Sequence, residues 1–269
     1  MHRPLHSGRP ALTLTLALGL ASAFAVASAR AADEVAPVLP YRPSVSTPAQ
    51  LPAAGYLEVE TGGLRAAGPA GAGGRNSMPL TLKLAFNPQW GVVVGTEAAV
   101  RQDDGAGGHA SGGGDTTLVL KHCLPLGDDA GLGLELGAKL PTAAAATGGS
   151  GHADALLNAI YSADFAGGWH ADLNLNEARQ GAAAGAAVTW QTGWAAAFSH
   201  AVGGDFGAVG ELSGSHVHGA MASAQILGAG SWNASRDAVF DLGLAHGLNA
   251  ATPRLQVFFG VTFRAGKLF

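Results

Sequence analysis

Ionisable side chains are scarce in this chain, and their spacing says more than their number. Asp, Glu, Lys and Arg make up 13% of the 269 residues, against about 25% in an ordinary soluble domain. Those present recur at every second position within apolar runs. Lys83 lies in Leu80-Thr81-Leu82-Lys83-Leu84, Glu135 and Lys139 lie between Leu132 and Leu140, and Asp172, Asn174 and Asn176 alternate with Leu173 and Leu175. Such alternation puts the polar groups on one face of a strand and the aliphatic groups on the other. The same parity gathers Lys83, Glu97, Arg101, Lys121, Glu135, Lys139, Asp154, Asp172, Asn174, Asn176, Gln191, Glu211, Gln225, Asp241 and Arg264. Ion pairing and solute guidance are the chemistry open to such a set. One reading is a structural polar network. The other is a lining in which Lys83, Lys121, Lys139 and Arg264 oppose Glu97, Glu135, Glu211 and Asp241 as cationic and anionic stripes.

Covalent chemistry has little to stand on. Ser199-His200 and Ser215-His216 are the nearest to a nucleophile and its base, but adjacent strand residues point to opposite faces. Pairs from different strands stay open, and nothing singles one out. His216-Val217-His218 puts two imidazoles on one face with no third metal ligand in sight. Gly131-Leu132-Gly133 lies inside a strand pattern with no helix after it, so it is no phosphate loop. No catalytic residue, metal or cofactor is assigned, and the chain is read as a non-enzyme. Cys123 is the one cysteine, so no internal disulfide is available, and a small buried strand residue is expected there. No basic patch marks a nucleic-acid partner.

The elements that position these residues follow from the start of the chain. Arg3 and Arg9 precede an apolar run from Ala11 to Ala29, and small residues follow at Ala27-Ser28-Ala29 and Ala29-Arg30-Ala31. That is the layout of a cleaved export signal. Cleavage after Ala31 removes Arg3, Arg9 and Arg30 and no acidic residue, so the mature chain is more acidic than the precursor's net charge of −4. The expected organisation is a signal peptide over 1–31, a Pro-rich periplasmic lead-in over 32–54, and one β-domain over 55–269. Whether the lead-in enters that domain as a plug is not decided by its sequence.

Beyond the signal no stretch approaches the roughly 20 apolar residues of a spanning helix, yet hydrophobic residues are 48% of the chain. The residues are therefore distributed over alternating strands. Twelve are predicted, near 55–64, 77–86, 90–101, 114–124, 131–141, 153–165, 168–179, 186–200, 206–216, 220–233, 237–247 and 254–264. Tight turns at 87–89, 127–129, 166–168, 203–205 and 235–236 alternate with mostly longer Gly- and Ala-rich connections at 65–76, 102–113, 142–152, 180–185, 217–219 and 248–253. In the third strand, Val92, Val94, Ala98 and Val100 are expected outside, with Glu97 and Arg101 inside.

A soluble β-sandwich also has one polar and one apolar face. The aromatics separate the two folds. Phe86 and Trp90 bracket one short turn and Phe165 and Trp169 another, Phe206 follows a third and Trp232 precedes a fourth. Rings gathered at one rim form an interfacial girdle of a membrane barrel, whereas a sandwich core holds its rings in mid-strand. The last strand, Leu255 to Arg264, leads to a terminal Phe269. Together these point to an all-β, transmembrane antiparallel β-barrel of about 12 strands, with short periplasmic turns and longer extracellular loops.

The run Gly114-Asp115-Thr116-Thr117-Leu118-Val119-Leu120-Lys121, followed by Gly133-Leu134-Glu135-Leu136-Gly137-Ala138-Lys139-Leu140-Pro141-Thr142, resembles the bacterial meta-pathway phenol-degradation family of transporter-like proteins. Gly149-Ser150-Gly151 before Asp154, Leu173-Asn174-Leu175-Asn176 and Gly260-Val261-Thr262-Phe263 extend the resemblance over residues 55 to 269. It implies an outer-membrane barrel, associated in some members with uptake of aromatic compounds, and carries no catalytic residues. The functional expectation is a monomeric barrel in outer-membrane lipid for passive passage of small, aromatic or hydrophobic solutes. The alternatives are a closed structural or surface-interaction barrel plugged by its own side chains and, third, an outer-membrane hydrolase. About twelve strands leave a lumen for side chains and a narrow passage, not a broad channel.

Overall fold

The computed structural model describes residues 35–68, 73–183 and 186–269. The expected signal peptide, 1–31, lies outside the described residues. The strands are β1 (Tyr56–Ala67), β2 (Arg75–Ala85), β3 (Trp90–Asp103), β4 (His109–Gly112), β5 (Thr116–Pro125), β6 (Ala130–Leu140), β7 (Asp154–Phe165), β8 (Trp169–Gln180), β9 (Thr189–Gly203), β10 (Phe206–Val217), β11 (Ser223–Ser235), β12 (Ala238–Gly247) and β13 (Leu255–Lys267). Every named strand pairing is antiparallel. β1 pairs with β2 on one side and with β13 on the other, which closes the sheet. β3 passes over the short β4 to pair with β5, so the wall is a twelve-stranded barrel and β4 an appendage of β3. Closure pairs the backbone polar groups of both outer strands, which a lipid environment demands.

Burial is inverted relative to a water-soluble protein. Lys83 and Lys121 are fully buried and Glu58 and Glu60 nearly so, while Leu136 is 61% exposed and Leu242 63%. A sandwich in water hides the leucines and wets the lysines. Here the apolar residues form the outer surface and the polar ones line the lumen, which settles which face is which. Phe86, Trp90, Phe165, Trp169, Phe206 and Trp232 are all exposed near the short turns, as the girdle requires. Trp190 and Trp194, also exposed, mark the long-loop half of the outer wall.

Three local features depart from the sequence expectation. Pro79 has no N–H for the ladder; opposite it, Ala98 is left out of register, Pro79 pairing with Glu97 and Met78 with Ala99. That bulge reverses the parity of the rest of β3. Val100, expected outside, is therefore 3% exposed and faces in, and Arg101, expected inside, is turned out and pairs with Asp103 at 3.4 Å. The Gly-rich stretch 102–113 is not wholly loop. Asp104 Oδ1 accepts from the N–H groups of Ala106 and Gly108, Gly105 and Gly107 take positive φ, and the chain folds back as β4. Finally, β13 does not stop near Arg264 but runs to Lys267, opposite Tyr56, across a register shift at Leu57/Glu58.

Candidate functional site

The lumen is occupied by the chain's own Pro-rich segment. Its start sits at the short-turn mouth, where Val38 N donates to Arg236 O and Arg264 donates to Ala36 O. Its middle reaches the belt of the barrel: the N–H groups of Val45 and Ser46 donate to Glu211 Oε2 at 2.8 and 2.9 Å. Thr47 N donates to Asn174 Oδ1 at 3.0 Å, and Asn174 Nδ2 returns a bond to Thr47 O. The segment then descends through Ala49, whose N–H donates to Ser162 Oγ at 2.7 Å, to a bridge between Ala54 and Ala85 beside the start of β1. Residues 35–54 thus form a re-entrant loop in the short-turn half of the lumen. A segment of this kind has no ladder of its own, so wall side chains must meet its backbone groups.

The anchoring groups are charged and dry. Lys83 Nζ lies 3.1 Å from Glu58 Oε2 and 2.6 Å from Glu60 Oε1, and also donates to Leu39 O. Glu58 and Glu60 accept in turn from the N–H groups of Leu39 and Tyr41. The Tyr41 ring lies between Lys83 and Lys121, their ammonium groups 4.4 and 4.3 Å from its centroid. Lys121 pairs with Glu135 at 3.0 Å and donates to Pro48 O. On the opposite wall Arg42 makes a two-pronged bond to Asp241, both contacts 3.1 Å. It fits because Gly260 carries no side chain; a Cβ there would come within 2.5 Å of Arg42 Nε. Gly133 likewise leaves room for the backbone of Ala49.

Above the segment the two walls differ. Toward β2–β7 the outer lumen is charged. Arg75 pairs with Glu97 and donates to Thr147 O, which brings the turn at Ala145–Thr147 against the barrel mouth. Lys139 bridges Asp154 at 2.8 Å and Asp115 at 3.4 Å. Burial opposes ionisation of Asp115, but the Ala143 N–H and the Lys139 ammonium outweigh it and hold its carboxyl below the usual range. Toward β8–β13 the lining is uncharged.

Of the fifteen residues read onto the lumen face, Lys83, Glu97, Lys121, Glu135, Lys139, Asp154, Asp172, Asn174, Glu211, Asp241 and Arg264 turn inward along the wall, whereas Arg101 turns out. They do not form two opposing stripes. Each cation sits beside its own anion: Lys83 by Glu58 and Glu60, Lys121 by Glu135, Lys139 by Asp154, Arg264 by Asp237. Close pairing offsets desolvation at short range, which separated stripes cannot do. Glu211 and Asp241 face the re-entrant segment instead of a wall cation. Sequence reasoning missed Glu58, Glu60, Arg75, Asp115, Tyr41 and Arg42. The first two were detectable as Glu58-Val59-Glu60 alternation; Tyr41 and Arg42 lie in a stretch without periodicity. His170, also missed, bridges Asp164 at 2.7 Å and Asp172 at 3.1 Å. Of the two Ser–His pairs, His200 stacks on the exposed Trp169, and Ser215 bonds to Ser223.

Such a barrel is shaped like solved outer-membrane channels. The COG4313 outer membrane channel from Pseudomonas putida F1 superposes with TM-score 0.61 at 14% identity, over 80% of this chain and 97% of that one. The NanC porin gives 0.55 at 10% identity, over 77% and 98%. The KdgM porin gives 0.54 at 8% identity, over 77% and 98%. At these identities the shared property is the fold. No family model matches the chain, and no curated protein matches it. The fold is that of outer-membrane porins and channels.

Proposed function

We propose that this protein is a gated outer-membrane passage for small solutes, with residues 35–54 as the gate. The observation that carries the reading is the re-entrant segment itself: it is held in a polar lumen by ion pairs and hydrogen bonds rather than by a continuous apolar core. Space remains around it. Cavities of about 380 Å³ and about 280 Å³ lie between the segment and the wall, on the β8–β10 side and the β1–β6 side. The chain is exported through a cleaved signal and works as a monomer. Aromatic compounds are the proposed solutes, supported by the resemblance to the phenol-degradation family.

Single-channel recording of the refolded chain beside a variant lacking 32–54 tests the gate. Conductance should rise on deletion. A deletion variant that shows the folded, heat-modifiable gel mobility and no current sinks the passage reading. The closed barrel, favoured by the tight pairing of the lumen charges, then becomes the better account.

A further inference from the structure

The outer half of the lumen between β8 and β13 contains a cavity of about 470 Å³ with Val45 of the re-entrant segment among its lining residues. None of its lining residues is Lys, Arg, Asp or Glu, although ion pairs fill the opposite wall at the same end. The polar groups it presents are amides and hydroxyls: Ser215, Ser223 and Thr252 bond to neighbours, which leaves Asn176, Gln191, Ser213, Gln225 and Gln256. Their hydrogen bonding is incomplete. Gln256 Nε2 donates to Gln225 Oε1 at 2.7 Å, leaving the Gln225 amide donors and the Gln256 carbonyl unused. Gln191 Oε1 accepts from Gln180 at 2.9 Å, leaving the Gln191 donors unused. Ser213, 3% exposed, has a hydroxyl with no partner at all. Glu211, two residues below it, is engaged through Oε2 by Val45 and Ser46.

We infer that this cavity is a binding site for uncharged, hydroxyl-bearing small molecules, which rests on the passage reading for its place in transport. Mixed unused donors and acceptors suit a hydroxyl, which is both at once. An ion entering here sheds water and meets no charged residue in the lining, a cost that a neutral solute escapes. The volume lies in the range of small-molecule sites. The Ser213 hydroxyl, buried without a partner, is a standing cost that such a ligand removes.

Three probes of similar size and different charge decide the matter: glucose, gluconate and glucosamine, offered to the full refolded chain in detergent. Saturation-transfer NMR should show transfer to glucose and little to the two ions. Gln225→Leu and, as a milder change, Ser213→Ala should each weaken glucose binding by about fivefold, the effect of one lost hydrogen bond. Gln225→Lys should bring in gluconate. Heat-modifiable mobility checks the fold of each variant. No transfer to glucose, equal transfer to all three probes, or wild-type transfer in both folded weakening variants overturns the site. The passage reading fails separately: a barrel that binds glucose but stays silent after deletion of 32–54 keeps the site and loses the passage. A conducting barrel that binds no glucose does the reverse.

Discussion

Lys83 shows how far one residue's surroundings reverse its usual role. A lysine in the middle of a Leu-rich strand ordinarily snorkels to water, but this one is completely buried between two glutamates and a backbone carbonyl. Its net contribution as a pair is modest, because desolvation offsets attraction; removing it alone is costly, because two carboxylates are then buried without a partner. Lys83→Met should therefore destabilise the barrel by about 3–5 kcal/mol, read from chemical unfolding out of lipid vesicles. Adding Glu58→Gln and Glu60→Gln should recover most of that loss. A single variant as stable as the parent would show the knot to be wet. Lys83 itself was legible from Leu82-Lys83-Leu84. Its partner Tyr41 was not, since nothing in a Pro-rich stretch announces which wall residue it will meet.

The strands were the most legible element because period-2 alternation survives wherever pairing is regular. It predicted β6 almost to the residue, the expected 131–141 against Ala130–Leu140. It failed at the end of β3, where one unpaired residue opposite Pro79 exchanged the faces of Val100 and Arg101. A bulge is a property of two strands together, so the run Val92 to Arg101 does not contain it. The short β4 was hidden for a related reason: its backbone is fixed by an Asp104 turn, not by any hydrophobic pattern. The outer faces carry their own prediction. Leu136, midway along β6 and 61% exposed, sits in the apolar band, where arginine costs about 2–4 kcal/mol at the bilayer midplane. Leu136→Arg should lose that much in vesicle-based unfolding, and Leu136→Ala much less. In a soluble protein a leucine so exposed tolerates either change, so a harmless arginine would contradict lipid contact on this face.

At the scale of the whole molecule, wall and re-entrant segment have different grounds for stability. The wall is a closed ladder with no edge to fray. The segment is bound through about half of the lumen's height by side chains that water can satisfy equally well once it leaves. Stability of that kind is set by a small difference, and a preference of a few kcal/mol leaves roughly 0.1–10% of molecules open. Full-length protein should then show brief openings reaching the conductance of the 32–54 deletion. Tethering decides whether those openings are departures of the segment. Ala49 N lies 2.7 Å from Ser162 Oγ, so the segment and the wall meet at these two positions. In a Cys123→Ser background, the Ala49→Cys/Ser162→Cys pair should abolish openings when oxidised and restore them under dithiothreitol. Openings that persist in fully oxidised protein mean that solutes pass beside a stationary segment. The cavities on its two flanks, not its exit, then become the route.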